Sequence, residues 1–201
     1  MTDLRAVLLN CTLKPTGSSS TEVLLQEVRG HLVEHSVEAP APIRMAALDI
    51  KPGVTSDEGG DDAWPEVREQ ILAADLLVVG TPIWLGQPSS IAKRVLERLD
   101  AFLGEQDDRG RMVSHDRVAI VAVVGNEDGA HHVCAELFQA LNDVGFTIPA
   151  NGCTYWVGEA MHRTDYQELD ERPKETQEAT RGAVAAAVHL AGVLKASPYA
   201  A

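Results

Sequence analysis

"LLVVGTPIWLGQPSSIAKRVLERLDAF", Leu76 to Phe102, holds an unbroken apolar run, a stretch rich in Pro, Gly and Ser, and then Ile91, Val95, Leu99 and Phe102 at helical spacing. A strand with one wet face alternates polar and apolar residues. One that is apolar throughout, as Leu76–Gly80 is, is covered on both faces. A doubly covered strand feeding an amphipathic helix is the unit of a parallel α/β sheet.

The unit recurs on both sides. "AVLLN" (Ala6–Asn10) leads through "CTLKPTGSSST" into a segment where Leu24, Val28 and Leu32 form a helical stripe. "IRMAALDI" (Ile43–Ile50) reads as a second strand. After a Gly/Asp-rich loop, Asp61 or Asp62 can cap a helix with Pro65 in its first turn and Val67, Ile71 and Leu72 facing inward. "RVAIVAVVG" (Arg117–Gly125) is the fourth strand. Its helix carries Val133, Leu137, Leu141 and Val144 on one face and ends at Gly145, placed for a left-handed cap. "CTYWV" (Cys153–Val157) is the fifth, and "KETQEATRGAVAAAVHLAGVLK" is a closing helix. The expectation is one domain over residues 1–201, a three-layer α/β sandwich whose five-stranded parallel sheet has the order 2-1-3-4-5.

Composition narrows the function. The 201 residues carry a formal net charge of -13, which disfavours nucleic acid and anionic membrane surfaces. No basic leader precedes a long apolar segment, and no apolar run approaches the roughly 20 residues of a membrane span, so a cytoplasmic protein is expected. Cys11, Cys134 and Cys153 are odd in number and form no CxxC pair; free, mostly buried thiols are the expectation.

In such a sheet ligands bind beyond the carboxyl ends of the strands, where the winding reverses. Three loops meet there. The first offers Thr12, Lys14, Ser18, Ser19, Ser20 and Thr21 ahead of a helix, an arrangement for a monophosphate or simply a capped polar loop; it has neither the GK[ST] order of a Walker loop nor a GxGxxG. In the second, Pro82, Ile83, Trp84, Leu85 and Gly86 offer an indole that either covers a ring system or joins the core or a subunit contact. The third, "GNEDGAHH", supplies Asn126, Glu127, Asp128 and Gly129 as hydrogen-bonding groups. His131 and His132 are adjacent rather than four apart, so no metal is expected there; one of them lies near the ligand or in a capping turn.

On "LNCTLKPTGSSST", "GTPIWLGQPSSIAKRVLERLD" and "VVGNEDGAHHV", in that order, the chain resembles the flavodoxin-like superfamily, and within it the NADPH-dependent FMN reductase and NAD(P)H:quinone reductase group. The resemblance implies FMN as cofactor and NAD(P)H as co-substrate. Thr12, Lys14 and Ser18, Ser19, Ser20 and Thr21 would hold the phosphate; Pro82, Ile83, Trp84, Leu85 and Gly86 would contact the ring; Asn126, Glu127, Asp128 and Gly129 would meet its pyrimidine edge, with His132 nearby. Electrons would pass to a quinone, a flavin or another small acceptor. No catalytic side chain is expected, since the cofactor carries the chemistry. A homodimer or tetramer is implied. Lys14, Arg94 or Arg111 would supply the basic patch that an anionic nicotinamide needs. The alternatives are a flavodoxin-type electron carrier docking a basic redox partner, and a binding protein of this fold that has lost the cofactor. The first loop departs from the pattern in its length and in Pro15, and the lack of a cysteine cluster excludes the iron–sulfur branch.

Overall fold

Strand β1 (Ala6–Asn10) is buried at all five positions. Its alternate residues serve two different cores, Ala6 and Leu8 on one face and Val7 and Leu9 on the other. The computed structural model describes residues 3–159 and 162–200, and every long strand in them repeats this division. In β3 (Leu76–Trp84) and β5 (Val118–Gly125), Leu76, Val78, Val118, Ile120 and Ala122 join the first core, and Leu77, Val79, Ala119, Val121 and Val123 the second. Helices α1 (Ser20–Glu34) and α5 (Lys174–Ala196) cover the first face, with Leu24, Leu25, Val28, Ala187 and Leu194 pointing in. Helices α2 (Trp64–Leu72), α3 (Ser90–Leu99) and α4 (Ala130–Asp143) cover the second, through Val67, Ile71, Val95, Leu99, Val133 and Leu137.

With β2 (Ile43–Arg44) and β6 (Cys153–Val157), the strands lie in the order β2-β1-β3-β5-β6, all parallel. This is the expected order once the short strand β4 (Gln87–Pro88) is set aside. Two strands differ in extent. The second is two residues long rather than eight, because Met45–Ala47 tighten into a 3₁₀ turn that tucks Met45 into the core. The third runs on to Trp84, so the first residues of "TPIWLGQPSS" are strand. That extension pairs antiparallel with β4, Ile83 opposite Pro88 and Trp84 opposite Gln87. Leu85 (φ 53°) and Gly86 (φ 73°) make the two-residue turn, both left-handed as a hairpin of this length favours.

Two further expectations change. Helix α2 is capped from Ala63 without a side-chain bond, although Asp62 accepts from the Trp64 amide at 3.2 Å. Only Cys11 is a free thiol among the three; Cys134 and Cys153, 6.7 Å apart at Cα, form a disulfide between α4 and β6. Their separation of 19 residues carries no sequence signal, and the pairing arises only because α4 lies on the strand that follows it. Gly145, at φ 96°, ends α4 in the expected left-handed conformation.

The 51–63 loop is fastened by one ion pair. Arg98 and Asp62 meet at 2.7 Å with both side chains wholly buried. The guanidinium also donates to the Lys51 and Thr55 carbonyls and lies 5.6 Å from the Trp64 ring. Asp62 accepts from the amides of Lys51, Glu58 and Trp64. Burial raises the Asp62 pKa, but those amides and Arg98 outweigh it and leave it at about 2. Arg98→Met strands the carboxylate, and we expect a loss of about 3–5 kcal/mol in urea unfolding. The depressed pKa makes the contribution of Asp62 complete above its unfolded value of 3.8 and lost as pH falls toward about 2. Asp62→Asn is therefore expected to flatten the stability profile across that window, as read by denaturation at stepped pH.

Candidate functional site

The carboxyl ends of β1, β3 and β5 leave the sheet beside one another, and β1 and β3 are the neighbours between which the winding reverses. The loop after β1 is shaped from below. Asn10, fully buried, accepts from the Thr12 amide at 3.1 Å and donates to Glu22 at 2.5 Å. Arg44, at the end of β2, donates to the Gly17 carbonyl at 2.7 Å and pairs with Glu22 at 3.2 Å. The Glu22 charge, beside the start of α1, is thereby paired within the protein. Ser19 caps α1 by accepting from the Glu22 amide at 3.1 Å. The Ser20 and Thr21 amides, donors of the first helical turn, have no acceptor among the described residues.

A second polar group ties this loop to the hairpin. Ser89 is 1% exposed, and its hydroxyl donates to the Cys11 carbonyl at 2.6 Å while accepting from the Ala92 amide at 3.1 Å to cap α3. Its own amide donates to Thr81 Oγ1 at 3.1 Å. The far end of the hairpin is clipped to the loop before α4: the Leu85 amide donates to Glu127 at 3.0 Å, and a side chain on Gly129 would stand 2.8 Å from Gly86 Cα.

A third wall comes from the chain after β6. Tyr166 is fully buried against Trp156 at 5.3 Å between ring centroids, and its hydroxyl donates to Glu27 at 2.7 Å. Arg172 holds Glu27 at 3.0 Å and lies over the Tyr166 ring at 4.8 Å. Burial and the Glu27 carboxylate push the phenol well above its ordinary range, so Tyr166 stays neutral. This anchor sets Asp165 and Gln167 beside the first loop and β5: the Gln167 amide donates to Ser20 Oγ at 3.3 Å, and Asp165 accepts from the Asn126 amide nitrogen at 3.1 Å.

These elements enclose one crevice. Thr12, Lys14, Ser19, Ser20 and Thr21 line its first end, Pro82, Ile83 and Trp84 one side, and Asn126 the floor beside Gly125. The remaining sequence candidates lie outside those walls. Ser18 is exposed and its carbonyl accepts from Lys14; Leu85 stands 92% exposed at the hairpin tip beside Gly86. Glu127 and Gly129 brace the hairpin, and Asp128 and His132 line a separate depression with Tyr155. His132 pairs with Gln87 and Glu136 at 2.9 and 2.8 Å. Arg94 donates to the Ile50 carbonyl and Arg111 to Asp107 and Asp116, so of the three expected cations Lys14 lines the crevice. The reading of the sequence missed Leu13, Val124, Trp156, Asp165 and Gln167. Trp156 had a signal, an aromatic at the carboxyl end of a strand; the segment after it has no periodicity to mark it.

The family described as NADPH-dependent FMN reductase matches residues 4–162. The chain belongs to that family. It has the flavodoxin-like fold. It is 32% identical over 207 residues to 8-demethyl-8-aminoriboflavin-5'-phosphate synthase of Streptomyces davaonensis, a match covering 98% of this chain and 80% of the relative. The crystal structure of RosB with bound intermediate 8-demethyl-8-formylriboflavin-5'-phosphate superposes with a TM-score of 0.89 at 31% identity, over 98% of this chain and 82% of that one. A 162-residue stretch is also 37% identical to part of the divalent metal cation transporter MntH of Mycobacterium bovis; it covers 78% of this chain but only 24% of the transporter's length. No described helix here is long and apolar enough to cross a membrane, and no three His, Cys, Asp or Glu side chains among the described residues are grouped to hold a metal ion.

Ser89 ties the first loop, the hairpin and α3 together through one hydroxyl. Ser89→Ala removes a helix cap and leaves the buried Cys11 carbonyl unpaired; we expect a loss of about 2–3 kcal/mol in urea unfolding, with faster hydrogen exchange at the Ala92 amide.

Proposed function

We propose that this crevice binds FMN and that the protein takes hydride equivalents from NAD(P)H and delivers them to a quinone, a flavin or another small acceptor. One observation carries the reading: a single crevice has unpaired helix-start amides and buried hydroxyls at one end and two indoles, Trp84 and Trp156, on its walls. The residues fit the group. The hydroxyls of Thr12, Ser19 and Thr21 with the Ser20 and Thr21 amides would hold the phosphate at the positive end of α1. Pro82, Ile83, Trp84 and Trp156 would flank the ring, and Asn126 its polar edge. Bound FMN would supply two-electron chemistry. The chain's own part is to bind, to orient and to limit water: Arg44 keeps the first loop in shape, Lys14 gives the mouth a positive charge, and Trp84, 54% exposed, leaves one side reachable by a second substrate. The exposed Leu85 beside Trp84 favours a homodimer meeting over that mouth.

A second reading makes the flavin phosphate the substrate itself, altered at its benzenoid ring. It is favoured by the likeness to the synthase and to RosB at the identities given above, which extends over nearly the whole chain. Both readings need the same phosphate site. Anaerobic NADH or NADPH is expected to bleach the visible flavin band of the FMN complex, and air to restore FMN of unchanged mass. A flavin of altered mass decides for the second reading; failure to bind FMN removes both. Arg44→Ala is expected to weaken FMN binding roughly 10–100-fold by calorimetry, from the charge-assisted bonds lost around the loop, and to leave riboflavin unaffected. Trp84→Ala is expected to weaken both ligands, or to shift the bound flavin's spectrum and potential.

A further inference from the structure

Away from the crevice, reactive side chains gather along the free edge of β6. On α4, His131 and Cys134 are three residues apart and so share a face; on β6, Cys153 and Tyr155 are two apart and do the same. The two spacings meet as two rungs between helix and strand. In the first, His131 Nε2 lies 3.1 Å from the Tyr155 hydroxyl with the rings edge to face. In the second, Cys134 and Cys153 are joined. A cavity of about 520 Å³ opens over both rungs and reaches Glu178 of α5 on its far wall. That volume is within the range of small-molecule sites. The two cysteines are not equivalent: Cys153 is half-buried on the cavity wall, whereas Cys134, on the same wall, is 6% exposed.

We propose that Cys134 and Cys153 form a thiol–disulfide exchange site for a low-molecular-weight thiol seated in this cavity. A thiolate of the small molecule attacks Sγ of Cys153, the more exposed of the two residues; the S–S bond breaks, and its electron pair leaves on Cys134, which takes a proton from solvent. A second small thiolate then attacks the outer sulfur of the mixed disulfide, releasing the small molecule's own disulfide and Cys153 as thiolate. Two small thiols are oxidised and one protein disulfide is reduced; the reverse sequence, driven by the small disulfide, closes the pair. His131, Tyr155 and Glu178 give the cavity polar partners for a charged, peptide-like thiol. Cys11 stands apart, fully buried and with its thiol pushed far up by desolvation, and serves as an internal control.

Glutathione is a suitable probe. The purified protein is equilibrated with reduced and oxidised glutathione in graded ratios, quenched in acid, alkylated unfolded and weighed. We expect one alkyl group, on Cys11, at the oxidising end and three at the reducing end. Cys134→Ser is expected to accumulate one glutathionyl group on Cys153 while folded, and Cys153→Ser to accumulate at least ten-fold less. Three alkyl groups at every ratio, or one at every ratio, overturns the proposal, and so does equal adduct formation by the two variants. The titration of the unsubstituted protein holds whether or not either variant folds, and it does not depend on flavin binding.

Discussion

Everything in this molecule depends on the burial of β1, β3 and β5 on both faces. Strands with no wet side must be covered by helices above and below. Helical crossovers make neighbours parallel, and parallel strands deliver all their carboxyl ends to one edge. The loops that could hold a ligand are therefore gathered before any of their residues has a role. The reversal of winding between β1 and β3 opens the gap they surround. At Gly80 the covering is so close that a side chain would stand 2.7 Å from Leu25, so α1 presses directly on the strand that leads to the hairpin.

At that edge the constraint changes from apolar to polar. Backbone groups leaving the sheet must find partners, and buried side chains supply them: Asn10 for Thr12, Ser89 for Cys11 and Ala92. Such groups have little tolerance for removal, because each partner left behind is out of reach of water. The same network leaves the Ser20 and Thr21 amides unspent at the positive end of α1. An acidic protein thus presents free donors at one place by local means. Glu22 is neutralised by Arg44, and Lys14 faces the opening. Net charge describes how the molecule behaves at a distance, while bound groups respond to the few dipoles beside them.

Strand β6 shows how one short segment serves two places. Its alternating side chains send Trp156 toward the crevice and Tyr166, and Cys153 and Tyr155 toward α4. As the last strand it has one open edge, which is where the second cavity lies. Ordinary strand geometry separates the two chemistries by one residue.

The sequence by itself determined the architecture: the doubly apolar runs at Leu76–Gly80 and Val118–Gly125, the helical stripes between them and the left-handed stop at Gly145 are local patterns, and local patterns survive without knowledge of neighbours. It also marked nine crevice-lining residues in advance, since a Ser/Thr-rich loop before a helix and a Pro/Trp/Gly stretch after a buried strand are both composition signals. Only the tertiary structure decided that Thr81–Trp84 are strand rather than loop, because that depends on pairing of Thr81 and Pro82 with β5 and of Ile83 and Trp84 with Pro88 and Gln87. It alone brought Asp165 and Gln167 beside residues some 40 and 147 positions earlier, set Glu127 and Gly129 behind the hairpin, and joined Cys134 to Cys153. The reason is physical. Periodicity records which face of an element is buried, whereas contacts between elements depend on how far each helix slides along the sheet, and packing across the whole core sets that.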